Sequence, residues 1–218
     1  MNRASFVGIS MGATALIVGI GMVVGRASVD YAGCPSLLAL VLMALSVQWL
    51  FFVPAALFKN ERFYDLIGAV TYILVVLSGA YIALSRGGLS TRQMVVTSMV
   101  CIWAVRLGAY LAHRVYQVGK DGRFDHIKTD PYNFFMAWTL QGLWVVLTTL
   151  PVAIILTTQK NQGQLTIWDL IGWCLWLFGF VIEVLADGQK STFRQQTVHQ
   201  GQWIDTGLWS WSQHPNYF

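Results

Sequence analysis

An all-α bundle of membrane-spanning helices is the fold class this sequence predicts, and three observations predict it. Apolar residues make up 56% of the 218 positions and charged residues only 11%, a balance suited to a chain that lives in lipid. The apolar residues are gathered into runs of about 20, the length that crosses the hydrocarbon core of a bilayer. The period is helical throughout, and no segment alternates in the manner of a strand. One polytopic domain over residues 1–218, with about six spans, is the expectation.

The first run, Ser5 to Gly25, follows Arg3. A signal peptide is the rival reading, but the run is longer than a usual secretory apolar core and another span follows closely. Pro35 to Phe58 is the second span; Pro35 suits a helix start, and Pro54 should kink or end it. A polar turn, KNERFYD at 59–65, leads to the third span, Leu66 to Ser85, which closes on Arg86-Gly87-Gly88. The fourth, Gln93 to Ala112, carries Arg106 inside it. A charge at that depth either snorkels or faces the interior of the bundle as part of a site. Residues 113–133, HRVYQVGKDGRFDHIKTDPYN, form the longest polar loop; Phe134 to Thr158 is the fifth span, with Pro151 inside it; and the sixth runs from Ile167 to about Asp187.

Basic residues fix an orientation. Arg3, Lys59, Arg62, Arg114, Lys120, Arg123, Lys128, Lys190 and Arg194 fall on one side, and Arg26, Arg86, Arg92 and Lys160 on the other. Both termini, the long basic loop and the closing stretch are therefore expected in the cytoplasm, of an endoplasmic reticulum or a bacterial inner membrane. The formal charge of +4 comes from these loops and signals topology and contact with anionic membrane lipids. Nucleic-acid binding is set aside. Cys34, Cys101 and Cys174 are far apart with no CxxC pair, so neither a metal site nor a disulfide framework follows. A phosphate-binding loop and a Gly-rich dinucleotide fingerprint are also absent from the sequence.

The chemistry gathers at the end, Glu183 to Phe218. Glu183, Asp187, Lys190 and Arg194 stand at i, i+4, i+7 and i+11, which puts all four on one face if the helix persists to Arg194. Acids below bases suit a ligand with hydroxyl or amide groups at one end and phosphates at the other. A salt-bridged interfacial helix explains the same spacing. Beyond it, Trp203, Trp209 and Trp211 suit a segment at the membrane surface, and Pro215 restrains His214 and Asn216 beside it.

ADGQKSTFR at 186–194 and IDTGLWSWSQHPNYF at 204–218, with FYDLIG at 63–68, WAVRLGAYLAHR at 103–114, GKDGRFD at 119–125 and AWTLQGLWV at 137–145, resemble the steroid 5-alpha-reductase-like membrane proteins. Within them the sequence is similar to the domain-of-unknown-function 1295 family. The resemblance covers the chain from about residue 48 onward. It implies an all-helical membrane reductase fold of about seven spans with NADPH in a cytosol-facing cavity. It implies cofactor contacts at Glu183, Asp187, Arg194 and Asn216, with Lys190, Trp209, His214 and Tyr217 in the same motifs. Arg114 and Arg123 on the basic loop are further candidates for phosphate contact, and ordinary positive-inside loop charge is their other reading. Tyr110 and Gln141, both in family-like motifs on spans, are the candidates for donating a hydrogen bond to a substrate carbonyl; interhelical hydrogen bonding is their other reading.

Four departures bear on this. Glu183 stands where the steroid reductases have Asn; Gln48 is followed by Trp49 in place of a Gln-Glu pair that engages the substrate carbonyl; Gln213 stands for an Arg and His199 for an Asn. The family also continues past HPNYF, so a clipped chain is a further expectation. The leading function is an NADPH-dependent reductase of an activated C=C bond in a lipid or steroid-like substrate. A methyltransferase of the isoprenylcysteine carboxyl methyltransferase type, using S-adenosylmethionine, is the second. An inactive lipid-binding membrane protein is the third.

Overall fold

The computed structural model describes residues 2–158, 163–196 and 201–217. Lys160 of the charge-based orientation and His199 of the family comparison lie outside them. Six long helices account for all six expected spans: α1 (Arg3–Val24), α2 (Ser36–Leu57), α3 (Tyr64–Leu84), α4 (Thr91–Val118), α5 (Pro131–Thr157) and α6 (Ile167–Gln195). Each is long and apolar enough to cross a membrane. A two-residue hairpin, β1 (Asp30–Tyr31) with β2 (Cys34–Pro35), closes the α1–α2 connection. Its strands are too short to show the alternation from which a strand is recognised in sequence.

The helix ends follow from local chemistry. Asn2 accepts from the Ser5 amide at the start of α1, and Asp130 accepts from the Tyr132 and Asn133 amides ahead of Pro131. Ser90 and Gln93 form a reciprocal capping box on α4, as Thr166 and Asp169 do on α6. Pro54 does not end α2 at once; the helix runs three residues further, to Leu57.

Two ends differ from expectation in ways that matter. α4 continues to Val118 rather than Ala112, because Val115 on its last turns is buried and repays the extension. Arg114 is therefore a helix residue, not a loop residue. α6 continues to Gln195, well past the expected exit near Asp187, so Glu183, Asp187, Lys190 and Arg194 do share one helical face.

The chain folds as two compact units, residues 1–163 and 164–218. In the first, α5 touches each of α1 to α4, and α3 packs against α2, α4 and α5. The largest core cluster joins Ile17 of α1, Leu37, Leu40 and Ala44 of α2, Tyr72 of α3 and Val145 of α5. α3 and α4 approach closely: a Cβ placed on Gly108 would lie 2.6 Å from the Cβ of Ala69. A second cluster, of Ile67, Phe124, Phe134 and Trp138, closes the end of the bundle that carries the polar loops. The second unit is α6 with the closing segment folded along its last turns, through a one-turn helix at Gly207–Ser210 and another at Pro215–Tyr217.

Candidate functional site

In the second unit, folding brings the two closing motifs together. Trp209 is buried, and its Nε1 donates to the Ala186 carbonyl at 2.9 Å. The Lys190 ammonium sits 4.3 Å from the centroid of the Trp209 ring, a cation–π contact. Asp187, only 3% exposed, accepts from Asn216 Nδ2 at 3.2 Å. His214 and Tyr217, both exposed, stack on one another with ring centroids 5.3 Å apart. Glu183 is half-buried one turn before Asp187, and Arg194 is exposed near the end of the helix. Four residues assigned to cofactor contact, Asp187, Lys190, Trp209 and Asn216, thus touch in two pairs.

The opposite stripe of α6 borders an open groove of about 970 Å³. At about 100° per residue, Leu185, Gly188, Gln189, Thr192 and Gln196 face roughly away from the Glu183–Arg194 stripe. The facing wall is the segment from Gly201 to Gly207. Gly207 takes φ +63 and approaches α6 so closely that a Cβ on it would stand 2.7 Å from Gln189 Oε1; that oxygen accepts from the Leu208 amide at 3.0 Å. Only glycine combines that φ with that contact.

In the first unit, the sequence motifs that carry charge converge at the polar end of the bundle. Asp65 opens α3, Arg114 lies on the last turns of α4, and Asp121 and Arg123 sit in the short helical turn that follows. Arg123 Nη2 donates to Asp65 Oδ2 at 2.7 Å and to Asp121 Oδ2 at 2.5 Å. Arg114 Nη2 stands 3.5 Å from the same two oxygens. Beside them Lys128 pairs with the buried Glu61 at 2.7 Å, and Glu61 Oε1 accepts from the Asp121 amide. Burial works against ionising Glu61 and Asp121, but the Lys128 and Arg123 hydrogen bonds outweigh it and hold both carboxyls below their usual range. The carboxylates it pairs with, Asp121 first and then Asp65, push the Arg123 guanidinium up.

Arg114 and Arg123, expected to meet cofactor phosphates, are thus charge-matched by Asp65 and Asp121. Their geometry is that of a clasp joining α3, α4 and the loop. The acids that make the clasp were not singled out from sequence, although each sits in a family-like motif, Asp65 in FYDLIG and Asp121 in GKDGRFD.

The two carbonyl-donor candidates stand apart in chemistry. Gln141 Nε2 donates to the Tyr64 carbonyl at 3.2 Å, and its Oε1 is buried without a hydrogen bond. The reverse amide orientation would set oxygen against oxygen, so one of the two Gln141 amide N–H donors is held by the Tyr64 carbonyl. The Tyr110 ring lies 5.3 Å from the Arg106 guanidinium, which assigns the intramembrane arginine a partner on its own helix. Gln48, fully buried, donates to Thr71 Oγ1 at 2.8 Å. Among the described residues no group of His, Cys, Asp and Glu could hold a metal ion.

These features define an all-α polytopic bundle whose helices can span a membrane, with a polar clasp in one unit and a motif-dense closing segment in the other. The chain belongs to the family described as Protein of unknown function (DUF1295), whose profile matches residues 51–218. No curated protein and no solved structure matches it.

Proposed function

We propose that this protein is an NADPH-dependent membrane reductase that adds hydrogen across an activated C=C bond of a lipid or steroid-like substrate. The observation that carries the reading is the Asn216–Asp187 hydrogen bond. It joins, in space, the two separate motifs to which the resemblance assigns the cofactor.

The donor set fits such a ligand. Arg194, exposed at the upper end of the stripe, and Lys190 supply cations for phosphate oxygens. Asp187 accepts from hydroxyls, and the Asn216 carboxamide both donates and accepts. Tyr217 and His214 offer a stacked pair of rings beside them. When bound, NADPH supplies hydride equivalents. On the protein's side, Tyr110 is the hydroxyl suited to polarise a substrate carbonyl and to stabilise negative charge on its oxygen. Gln141, one of whose amide N–H groups is held by the Tyr64 carbonyl, is the second candidate donor and also ties α5 to α3.

Equilibrium binding to the purified protein in detergent tests the reading. Saturable NADPH binding with none for S-adenosylmethionine is the expected result. Binding of S-adenosylmethionine alone would make the protein a methyltransferase of the isoprenylcysteine carboxyl methyltransferase type. Failure to bind either would leave a lipid-binding protein without turnover.

A further inference from the structure

The groove on the far stripe of α6 has a composition that the reductase reading does not use. Among its described lining residues the only ionisable group is Asp205. Asp205 makes no hydrogen bond or ion pair with any described residue, and no Lys or Arg is among the described residues that line the groove with it. The other polar groups are carboxamides and hydroxyls, from Gln189, Thr192, Gln196 and Thr206. Trp203, which is 85% exposed, and Phe193 give it aromatic walls. A site for a phosphate or carboxylate is built with cations or a cluster of amides. This groove offers the opposite field: one carboxylate, amide and hydroxyl oxygens, and π faces, each of which attracts a cation.

The groove also has a direction. It begins at Val184 and Leu185, continuous with the apolar span of α6, and ends among the polar residues at Gln196. From Val184 to the end of α6 at Gln195 that is 12 residues of helix, about 18 Å at 1.5 Å per residue. An occupant following it passes from hydrocarbon-like to polar surroundings, and the volume of about 970 Å³ is at the upper end of ligand-sized pockets.

We infer that this groove binds a single-chain amphiphile with a protonated amine head, its chain along Val184 and Leu185 and its ammonium at Asp205 and Trp203. The site lies on the stripe of α6 opposite Asp187, Lys190 and Arg194, so it is independent of the cofactor reading.

The test is direct binding of hexadecylamine, hexadecanol, palmitate and hexadecyl phosphate to the full chain in nanodiscs of phosphatidylcholine. Hexadecylamine should bind saturably, at one site per chain, at least tenfold tighter than the other three. Asp205→Asn should reduce its affinity to that of hexadecanol, while NADPH binding stays as in the parent protein. Trp203→Ala should weaken the amine more than the alcohol. Equal binding of all four compounds would reduce the groove to non-specific partitioning, and preference for the phosphate or the carboxylate would reverse its assigned charge; either overturns the proposal. Because the head-group comparison uses the unaltered protein, it decides the matter even if a variant fails to fold.

Discussion

Asn216 Nδ2 donates to Asp187 Oδ1 at 3.2 Å across 29 residues of chain, fixing the closing turn to the one carboxylate of the α6 stripe that is buried. The two side chains should therefore act as a pair. Asp187→Ala and Asn216→Ala are expected to be non-additive in a double-mutant cycle, with a coupling of about 0.5–3 kcal/mol in thermal unfolding. In the reductase reading each variant also loses at least about tenfold in NADPH affinity. Additive stabilities would mean that the contact does not hold the segment.

Arg194 separates two positions for the phosphates. If its guanidinium meets the ribose phosphate, Arg194→Ala weakens NADPH binding far more than NADH binding. Equal loss for both dinucleotides places it on the pyrophosphate, and unchanged binding removes it from the site. Titrating both cofactors against the same preparation distinguishes these.

Two lysines of the basic loop should differ sharply although each makes a 2.7 Å ion pair. Lys128 faces Glu61, which is buried, whereas Lys120 is itself exposed and faces the half-buried Asp125. Lys128→Ala leaves a desolvated carboxylate without its cation and should cost about 1–3 kcal/mol. Lys120→Ala should leave stability almost unchanged, because solvent screens that pair. Thermal or denaturant unfolding of the two variants side by side is the measurement.

Acid should open the clasp. The Glu61 and Asp121 carboxyls are held below their usual range in the folded protein, so the stability they contribute is complete above the unfolded value of about 4. It is lost as pH falls through the lower folded values. The unfolding midpoint should be flat near neutrality and drop below about pH 4. Glu61→Gln should lessen that dependence, and an unchanged acid limb would show that Glu61 does not contribute to it.

Gly108 marks the place where α3 and α4 cannot move apart without loss. A Cβ there would meet that of Ala69 at 2.6 Å, and neither is the end of a flexible side chain. Gly108→Ala should destabilise the bundle by about 1–3 kcal/mol through overpacking, despite alanine's higher helix propensity. A variant as stable as the parent would mean that the two helices slide freely.

The sequence by itself determined the fold class and the six spans, because runs of about 20 apolar residues have few other uses and the runs are separated by polar turns. It also placed Glu183, Asp187, Lys190 and Arg194 on one stripe of any helix that ran through them, since helical spacing is a local property; that α6 runs on to Gln195 came from the structure. What it did not contain is which groups meet. Arg114 and Arg123 read as phosphate contacts or ordinary loop charges, and the fold brings Asp65 of α3 to both of them. Gln141 read as a carbonyl donor or an interhelical hydrogen bond, and the fold sets one of its amide N–H groups on the Tyr64 carbonyl. The groove beside Asp205 is formed by two segments whose sequences show only a Gln/Thr stripe and two glycines. Charge pairing, donor commitment and cavity shape are products of long-range contact, and only the tertiary structure decides them.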